Sequence, residues 1–411
     1  MDTIEPSTPA PSTPTPDARL PGHDRVPRRL HALISYAVST IIVAGVCVWA
    51  ATNARQPAQE GAEIKAASET AAPLLPAPDA HLPLPAEVRG VYVTASMASS
   101  FDRYAKLISS VKAKGANAVV LDLKGSTGSL AFLPETAPLR AEAPVKKLYD
   151  LDKLAAATHE QGLYLIARMP VFEDPDYAAK HPESALKRAG GKLWQDAKGL
   201  YWLDPASEAV WKYHADVAKE AYDRGCDEIQ FDYIRFATDG KTSQIVYPYY
   251  DGKEGMRSVI GELFAYFDKT LRSEGIPISV DVFGFTTWHQ TDLGIGQWYA
   301  DALADFDAVS PMVYPSHYPS GTLGFKNPAD HPYEIVSDSL KKGGEVSAQI
   351  QAGTAGAKAG AQRPWLQAFN LGAVYTPAMV SAEIKAARDE GAKGFLLWNA
   401  GNDYSSIPDL N

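Results

Sequence analysis

Strand-like and helix-like stretches alternate through most of this chain, from residue 88 to about residue 398. Such alternation predicts a parallel sheet with helices packed outside it. Eight strands with seven or eight helices in about 320 residues are typical of a (β/α)8 TIM barrel with some enlarged loops. The predicted strands cover residues 89–94, 118–124, 163–169, 228–232, 278–283, 308–314, 365–369 and 394–398.

Helical patterns fill the intervals between these strands, and several end before a glycine that suits a left-handed C-cap. They cover residues 101–114, 150–161, 207–224, 255–273, 296–303, 333–343 and 377–390. A doubly wound open sheet is the structural alternative. No Gly-x-Gly-x-x-Gly follows the first strand, which disfavours a nucleotide-binding sheet of that kind.

Two strands carry their polar side chains in an unusual arrangement. In residues 228–232 the apolar side chains share one face, the acids and the amide share the other, and Asp232 comes last. Residues 278–283 repeat this arrangement, with Asp281 on the polar face. The pattern fits barrel strands whose apolar face meets the outer helices and whose polar face lines the barrel interior. A carboxylate at the C-terminal end of a barrel strand indicates catalysis.

Side chains alternate between the two faces of every strand, and we refer to this alternation as parity. Applied to the other strands, parity brings more polar and aromatic side chains to this end of the barrel. The candidates at the strand ends are Asp122, Lys124, Arg168, Tyr314, Gln367 and Trp398. Two long loops, residues 172–203 and 237–253, would also lie at the C-terminal face, where long loops usually form lids or binding walls. We therefore expect one cup lined by these residues.

The candidate residues favour chemistry on a sugar. Hydrolysis at an anomeric carbon needs a proton donor and a second carboxylate that attacks or stabilises the oxocarbenium-like centre. Neighbouring strands lie about 4.8 Å apart, so Asp232 and Asp281 could approach the ~5–5.5 Å separation of retaining enzymes. The sequence does not fix the register between these two strands, so the wider carboxylate separation of inverting enzymes is an alternative.

Other chemistries find less support in the sequence. No two histidines are placed at metal-ligand spacing, and neither a nucleophile elbow nor a Walker sequence occurs. We therefore expect no metal and no cofactor. The formal net charge of −10 argues against a nucleic-acid partner, for which a basic stripe would be expected.

The first 87 residues differ in composition from the rest of the chain. Residues 1–30 are rich in Pro, Thr and Ser and are predicted to be a disordered cytoplasmic tail. Residues 31–52 form an uncharged apolar run behind a basic flank, which predicts a transmembrane signal anchor with the following residues outside the cell. A cleaved signal peptide, which would give a secreted domain, is the alternative. Residues 53–87 are predicted to be a Pro/Ala-rich linker, and residues 88–411 the barrel.

Six motifs resemble a bacterial family known as the putative glycosyl hydrolase domain, earlier catalogued as a domain of unknown function. They are residues 91–94 (Val-Tyr-Val-Thr), 122–124 (Asp-Leu-Lys), 231–236 (Phe-Asp-Tyr-Ile-Arg-Phe), 279–284 (Ser-Val-Asp-Val-Phe-Gly), 311–318 (Pro-Met-Val-Tyr-Pro-Ser-His-Tyr) and 364–367 (Pro-Trp-Leu-Gln). The resemblance runs from about residue 88 to 404. It implies a TIM-barrel glycosidase relative and a reaction class, but no particular substrate. Barrel glycosidases place an essential carboxylate at the end of strand four, which supports Asp232 more firmly than Asp281.

The sequence thus predicts a membrane-tethered glycoside hydrolase, periplasmic or extracellular, that acts on a bacterial envelope or extracellular polysaccharide. Asp232 would be the nucleophile or stabilising carboxylate and Asp281 the general acid/base, with the two roles open to exchange. Substrate contacts are expected from Asp122, Lys124, Arg168, Tyr233, Arg235, Tyr314, His317, Gln367 and Trp398.

Several of these residues could have a purely structural role, and other functions are alternatives to glycoside hydrolysis. Asp232 could pair with Arg235 or Arg168, and Asp122 with Lys124, as purely structural ion pairs. The rival functions are a non-catalytic carbohydrate-binding barrel, or a polysaccharide lyase or deacetylase on the same fold. A deacetylase normally needs a metal, and histidines are scarce near the predicted strand ends.

Overall fold

The computed structural model describes residues 81–353 and 358–411. The predicted tail, membrane anchor and most of the linker lie outside the described residues. Within residues 81–353 and 358–411, no helix is both long and apolar enough to cross a membrane.

Eight parallel strands close into a barrel, which confirms the predicted fold. Each strand pairs with its neighbour in chain order, and the last returns to the first with Val88 opposite Gly394. The strands are β1 (Val88–Val93), β2 (Ala118–Asp122), β3 (Tyr164–Pro170), β4 (Glu228–Asp232), β5 (Ile278–Phe283), β6 (Ala308–Met312), β7 in two pieces (Ala361–Gln362 and Trp365–Gln367) and β8 (Gly394–Trp398).

Helices surround this barrel. They are α1 (Ala95–Ala98), α2 (Phe101–Ala113), α3 (Ala137–Glu142), α4 (Leu151–Glu160), α5 (Pro175–Lys180), α6 (Glu208–Asp223), α7 (Met256–Thr270), α8 (Tyr299–Asp305), α9 (Pro332–Gly353) and α10 (Pro377–Asp389). The helices α2, α4 and α10 begin at Ser100, Asp150 and Thr376, whose side chains accept a backbone N–H of the first turn and so satisfy an otherwise unpaired donor.

The alternation of side chains divides the apolar core into two parts. Outward side chains pack against the helices; Phe231 of β4, for example, stacks on Phe267 of α7 with 4.2 Å between ring centroids. Inward apolar side chains, including Val120 and Ile166, form a smaller cluster within the barrel. The polar face predicted for β4 therefore does face inward, because its apolar face is occupied by α7.

An ion pair lies inside the barrel near the start of β4. Both terminal nitrogens of Arg363 donate to the Glu228 carboxylate, and the Ser279 hydroxyl donates to the same carboxylate at 2.5 Å. All three side chains are buried. Glu228 thus has its polar partners at the end of β4 opposite Asp232, and the two acids of this strand are separated by the length of the strand.

The register between strands determines where the polar side chains meet. Asp122 pairs with Arg168 across β2 and β3, and Pro170 pairs with Asp232 across β3 and β4. Asp281 pairs with Ser310 across β5 and β6. The C-terminal ends of β2 to β5 therefore present their inward side chains at neighbouring levels of the barrel.

The elements differ from the sequence prediction mainly in short segments. The helices α3 and α5 have only six residues each, too few for a helical period to be recognised. The predicted helix at residues 333–343 extends to Gly353. Strand β7 is interrupted at Arg363 and Pro364 because proline has no N–H to donate to a ladder.

Candidate active site

Arg168 lies at the centre of the C-terminal end of the barrel and contacts three carboxylates. Its Nη1 donates to Asp122 Oδ1 at 2.5 Å, and its Nη2 donates to Asp232 Oδ2. Its Nε lies 3.6 Å from Asp281 Oδ2. We call Arg168 and these three aspartates the acidic ring. Three acids around one guanidinium cannot all be neutralised by it, so the ring favours the uptake of protons.

The three acids differ in how far solvent reaches them. The side chains of Asp122 and Asp232 are 12% and 9% exposed, whereas that of Asp281 is 1% exposed. Asp281 therefore lies beneath the other two. Asp122 and Asp232 are the two acids of the ring that keep some side-chain surface open to solvent.

Asp232 is held at the end of β4 by two donors. Besides Arg168, the backbone N–H of Tyr233 donates to its Oδ1 at 2.6 Å. Tyr233 has a φ of 52°, a left-handed conformation that costs a non-glycine residue roughly 1–2 kcal/mol. Its carbonyl accepts the Phe172 N–H at 3.3 Å. This bent backbone turns the N–H of Tyr233 towards the carboxylate before it.

Asp281 has one donor and one unpaired oxygen. The indole N–H of Trp365 donates to its Oδ1 at 2.7 Å. Its Oδ2 is buried and has no hydrogen-bond partner among the described residues. Burial, and then the charge of Asp232, raises the pKa of Asp281 well above its ordinary value, although Arg168 and Trp365 oppose this. Burial therefore favours the protonated form of Asp281.

Asp122 joins the acidic ring to an aromatic wall. The Tyr92 hydroxyl donates to Asp122 Oδ2, and the Tyr92 ring stacks on Trp398 with centroids 4.0 Å apart. Burial raises the pKa of Asp122, while the charge of Arg168 and the Tyr92 hydroxyl act in the opposite direction. Trp398 was predicted as a substrate contact, and its partly exposed ring beside Arg168 is compatible with packing against a sugar face.

The loop after β6 forms another side of the site. The Tyr314 ring lies 5.1 Å from the His317 ring and 5.6 Å from Phe369. Burial and then the charges of Asp281 and Asp232 raise the pKa of Tyr314 well above its usual range. Burial lowers the pKa of His317 to about 4, so its imidazole is neutral near pH 7. A neutral imidazole can both donate to and accept from a sugar hydroxyl.

Three predicted substrate contacts lie in structural networks instead of in the acidic ring. Lys124 is buried and donates to Asp174 at 2.6 Å, to the Pro170 carbonyl at 3.0 Å, and contacts His214 at 2.8 Å. The Gln367 amide donates to the carbonyls of Phe369 and Leu371.

The guanidinium of Arg235, the third of these residues, lies 4.8 Å from the Trp202 ring centroid and donates to the Phe236 carbonyl. The Tyr233 ring centroid lies 5.8 Å from the same guanidinium. Substrate contact by these residues stays a prediction.

Sequence reasoning missed three residues of the site. Tyr92 lies on the inward face of β1, and strand parity could have found it. Trp365 begins a strand piece of three residues, and only the fold shows that its indole reaches Asp281. Glu173 follows β3 by three residues in an irregular segment, where no periodicity applies. Its Oε2 is buried without a partner among the described residues, and burial raises its pKa to about 7.

Within the described part of the chain, no group of three or more His, Cys, Asp or Glu side chains is arranged to hold a metal ion. The acidic ring instead has a guanidinium at its centre. Accessible carboxylates beside aromatic rings, at the C-terminal end of a TIM barrel, define a candidate site of the glycosidase type.

Comparison with known proteins agrees with this class. The chain belongs to the putative glycosyl hydrolase domain family, which it matches over residues 90–404. No curated protein matches the sequence.

Solved structures also resemble the chain. The glycoside hydrolase domain of PgaB (BpsB) from Bordetella bronchiseptica is 13% identical, with a TM-score of 0.55 over 77% of this chain and 95% of that one. A hypothetical protein from Ruminiclostridium thermocellum is 32% identical, with a TM-score of 0.43 over 47% of this chain and 97% of its own. An α-galactosidase from Thermus thermophilus is 13% identical, with a TM-score of 0.49 over 78% and 59%. At 13% identity, the likeness to the PgaB domain shows the barrel fold alone.

Proposed function

We propose that this protein is a glycoside hydrolase that cleaves a bacterial envelope or extracellular polysaccharide. The observation that carries the proposal is the acidic ring, in which two solvent-reachable carboxylates, Asp122 and Asp232, share one arginine. The family to which the chain belongs supports the same reaction class. The location outside the cell, by a membrane anchor, rests on the apolar run at residues 31–52 and is part of the proposal.

Asp232 supplies the carboxylate that attacks or stabilises the anomeric carbon. It ends β4 and has one oxygen on Arg168 and the other on the Tyr233 N–H, so its orientation is fixed before substrate binds. Such preorganisation lowers the cost of stabilising the positive charge that develops on the sugar. A second acid of the ring supplies the proton for the leaving oxygen.

The aromatic residues at the cup suit a saccharide. Trp398 and Tyr92 stack on each other beside Arg168, and Tyr314 lies near His317. Amphipathic rings of this kind pack against the apolar faces of sugars while polar neighbours bind the hydroxyls. The chain therefore combines a carboxylate pair with a surface on which a sugar ring can rest.

Product analysis tests this proposal. We would incubate the full chain with peptidoglycan, chitin, cellulose, dextran and alginate and with extracellular polysaccharides from bacterial cultures. The proposal predicts new reducing ends without ultraviolet-absorbing unsaturated products and without acetate. Unsaturated ends would indicate a lyase, acetate would indicate a deacetylase, and tight retention of a glycan without any product would indicate a binding barrel. Each of these three results contradicts the proposal.

A further inference from the structure

We propose that Asp122, and not Asp281, is the general acid/base that works with Asp232, and that Asp281 is a positioning residue beneath the pair. This inference rests on the proposed glycosidase function. The sequence predicted Asp122 only as a substrate contact and assigned the acid/base role to Asp281. The structure separates the three acids by accessibility, by partners and by their place around Arg168.

Accessibility distinguishes Asp122 from Asp281 first. A proton donor must come within hydrogen-bond reach of the glycosidic oxygen. The side chain of Asp281 is 1% exposed, its Oδ1 is occupied by the Trp365 indole, and its Oδ2 is buried. The side chain of Asp122 is the most exposed of the three, at 12%. Asp122 therefore offers more side-chain surface to a sugar at this end of the barrel than Asp281 does.

The shared guanidinium brings Asp122 and Asp232 together. One oxygen of each carboxyl group contacts a terminal nitrogen of Arg168. Because those two nitrogens belong to one guanidinium, both carboxyl groups lie beside the same end of the Arg168 side chain, as a pair that acts on one glycosidic bond must. The two acids thus face the same space above Arg168.

The environment of Asp122 suits proton exchange. Four titratable or charged side chains face it from the surrounding elements. Tyr92 from β1 donates to its carboxylate, Arg168 from β3 pairs with it, Asp232 from β4 repels its charge, and the Tyr149 hydroxyl donates to its backbone carbonyl at 2.7 Å. The burial that raises the pKa of Asp122 favours a protonated form that can donate.

Asp281 acts through its neighbours. It lies 3.6 Å from the Nε of Arg168 and accepts from Trp365, whose ring makes an edge contact with Trp398 at 5.4 Å between centroids. It therefore connects the guanidinium that orients Asp122 and Asp232 to the aromatic wall. This arrangement holds the reacting acids in place without contact between Asp281 and the sugar.

The reaction then balances with water as the only co-reactant. The bond between the anomeric carbon and the glycosidic oxygen breaks, its electron pair stays on that oxygen, and the oxygen takes the proton of Asp122. Asp232 bonds to or stabilises the anomeric carbon. A water molecule then bonds to that carbon and gives one proton to Asp122, which restores the acid. Where Asp232 has bonded to the carbon, that bond breaks in the same step and its electron pair returns to the Asp232 carboxylate.

Leaving-group dependence tests the assignment, using the full chain and the glycan from which it releases reducing ends. The second substrate is the glycosyl fluoride of the released oligosaccharide, because fluoride departs with little acid assistance. We expect Asp122→Asn to lose at least about a hundredfold in kcat/KM on the glycan but less than about tenfold on the fluoride. We also expect its pH profile to lack the alkaline limb that loss of the acid's proton gives to the wild type.

Tyr92→Phe and Asp301→Asn are the companion variants. Removal of the Tyr92 donor destabilises the Asp122 carboxylate, so Tyr92→Phe should move the alkaline limb to higher pH. Asp301 is paired with Arg257 through two hydrogen bonds away from the ring. Asp301→Asn should therefore change neither the ratio of kcat/KM values on the glycan and the fluoride nor the pH profile of activity. A merely structural role for Asp122 would reduce turnover of both substrates equally.

Three results would overturn the inference. Full activity of Asp122→Asn on the glycan would remove Asp122 from the reaction and leave the proposed function intact. Retention of fluoride hydrolysis by Asp281→Asn, with equal loss of both activities in Asp122→Asn, would assign the acid to Asp281. No release of reducing ends by the wild type from any glycan would overturn the proposed function and this inference with it.

Discussion

At the scale of single residues, Arg168 organises the site. Its guanidinium contacts all three acids of the ring, and their charges keep the pKa of Arg168 above the usual range although burial acts against this. Parity along the strands predicted Arg168, Asp122, Asp232 and Asp281 at one end of the barrel. It could not predict which acid is accessible, because accessibility depends on side chains contributed by distant strands.

Replacement of Arg168 by methionine should destabilise the protein strongly. Arg168→Met leaves three acids without their cation, and breaking a buried ion pair costs about 3–5 kcal/mol of unfolding free energy. Denaturant unfolding of both proteins measures this. The matched control is Arg257→Met, whose side chain is 46% exposed, and for which we expect at most about 1 kcal/mol. Equal effects of the two substitutions would show that the acidic ring does not depend on Arg168.

Glu173 should make stability depend on pH. Its pKa is about 7 in the folded chain against an ordinary 4.5, so the folded state holds this proton more tightly. The bound proton of Glu173 contributes fully to the free energy of unfolding below pH 4.5. This contribution, at most about 3 kcal/mol, is lost as the pH rises through 7. Glu173→Gln lacks this loss, so its advantage over the wild type should grow from pH 5 to pH 8 in denaturant unfolding.

The control for this prediction is Glu183→Gln. The Glu183 side chain is 63% exposed, so its substitution should change the free energy of unfolding by less than about 1 kcal/mol. A Glu173→Gln variant whose stability follows that of the wild type at both pH values would contradict the raised pKa.

At the scale of elements, buried ion pairs join the barrel strands to what surrounds them. Lys124, just after β2, pairs with Asp174, which also caps α5 by accepting the Tyr177 N–H at 3.1 Å. The same ammonium contacts His214 of α6. The sequence predicted Lys124 as part of the cup because parity places it two residues after Asp122. The strand ends at Asp122, so parity no longer applies at position 124.

A double-mutant cycle tests the Lys124–Asp174 pair. Lys124→Met leaves a buried aspartate unpaired and should cost about 3–5 kcal/mol of unfolding free energy, and Asp174→Leu should cost a similar amount. The double variant should be more stable than the sum of the two losses predicts, because it leaves no isolated charge. Strict additivity of the two losses, measured by denaturant unfolding, would mean that the pair does not form.

At the scale of the whole molecule, the C-terminal segment completes the barrel closure between β8 and β1. The Tyr404 hydroxyl and the Asn402 amide both donate to the Tyr92 carbonyl, and the Leu410 N–H donates to the Lys114 carbonyl. Tyr404, Ile407 and Leu410 are buried. Strand and helix patterns predicted the barrel, but no pattern predicted this segment, because it has no periodic structure.

Removal of residues 402–411 should therefore destabilise the fold. Each buried Tyr, Ile or Leu side chain contributes about 1.5–3 kcal/mol, so the loss should reach several kcal/mol and lower the thermal unfolding midpoint markedly. Removal of the exposed Asn411 alone is the control and should have little effect. An unchanged midpoint after the longer truncation would show that closure of the barrel does not depend on this segment.

Comparison of the wild type with Asp232→Asn tests directly whether the reaction takes place at the end of β4. The measurement is the release of reducing ends by the full chain from the glycans described above, with Asp301→Asn as the matched control. Chemistry at the end of β4 predicts release by the wild type and by Asp301→Asn, and a loss of at least about a hundredfold in Asp232→Asn that folds normally. Release by Asp232→Asn at the wild-type rate would contradict the assignment of the reaction to Asp232, because its carboxylate would then be dispensable.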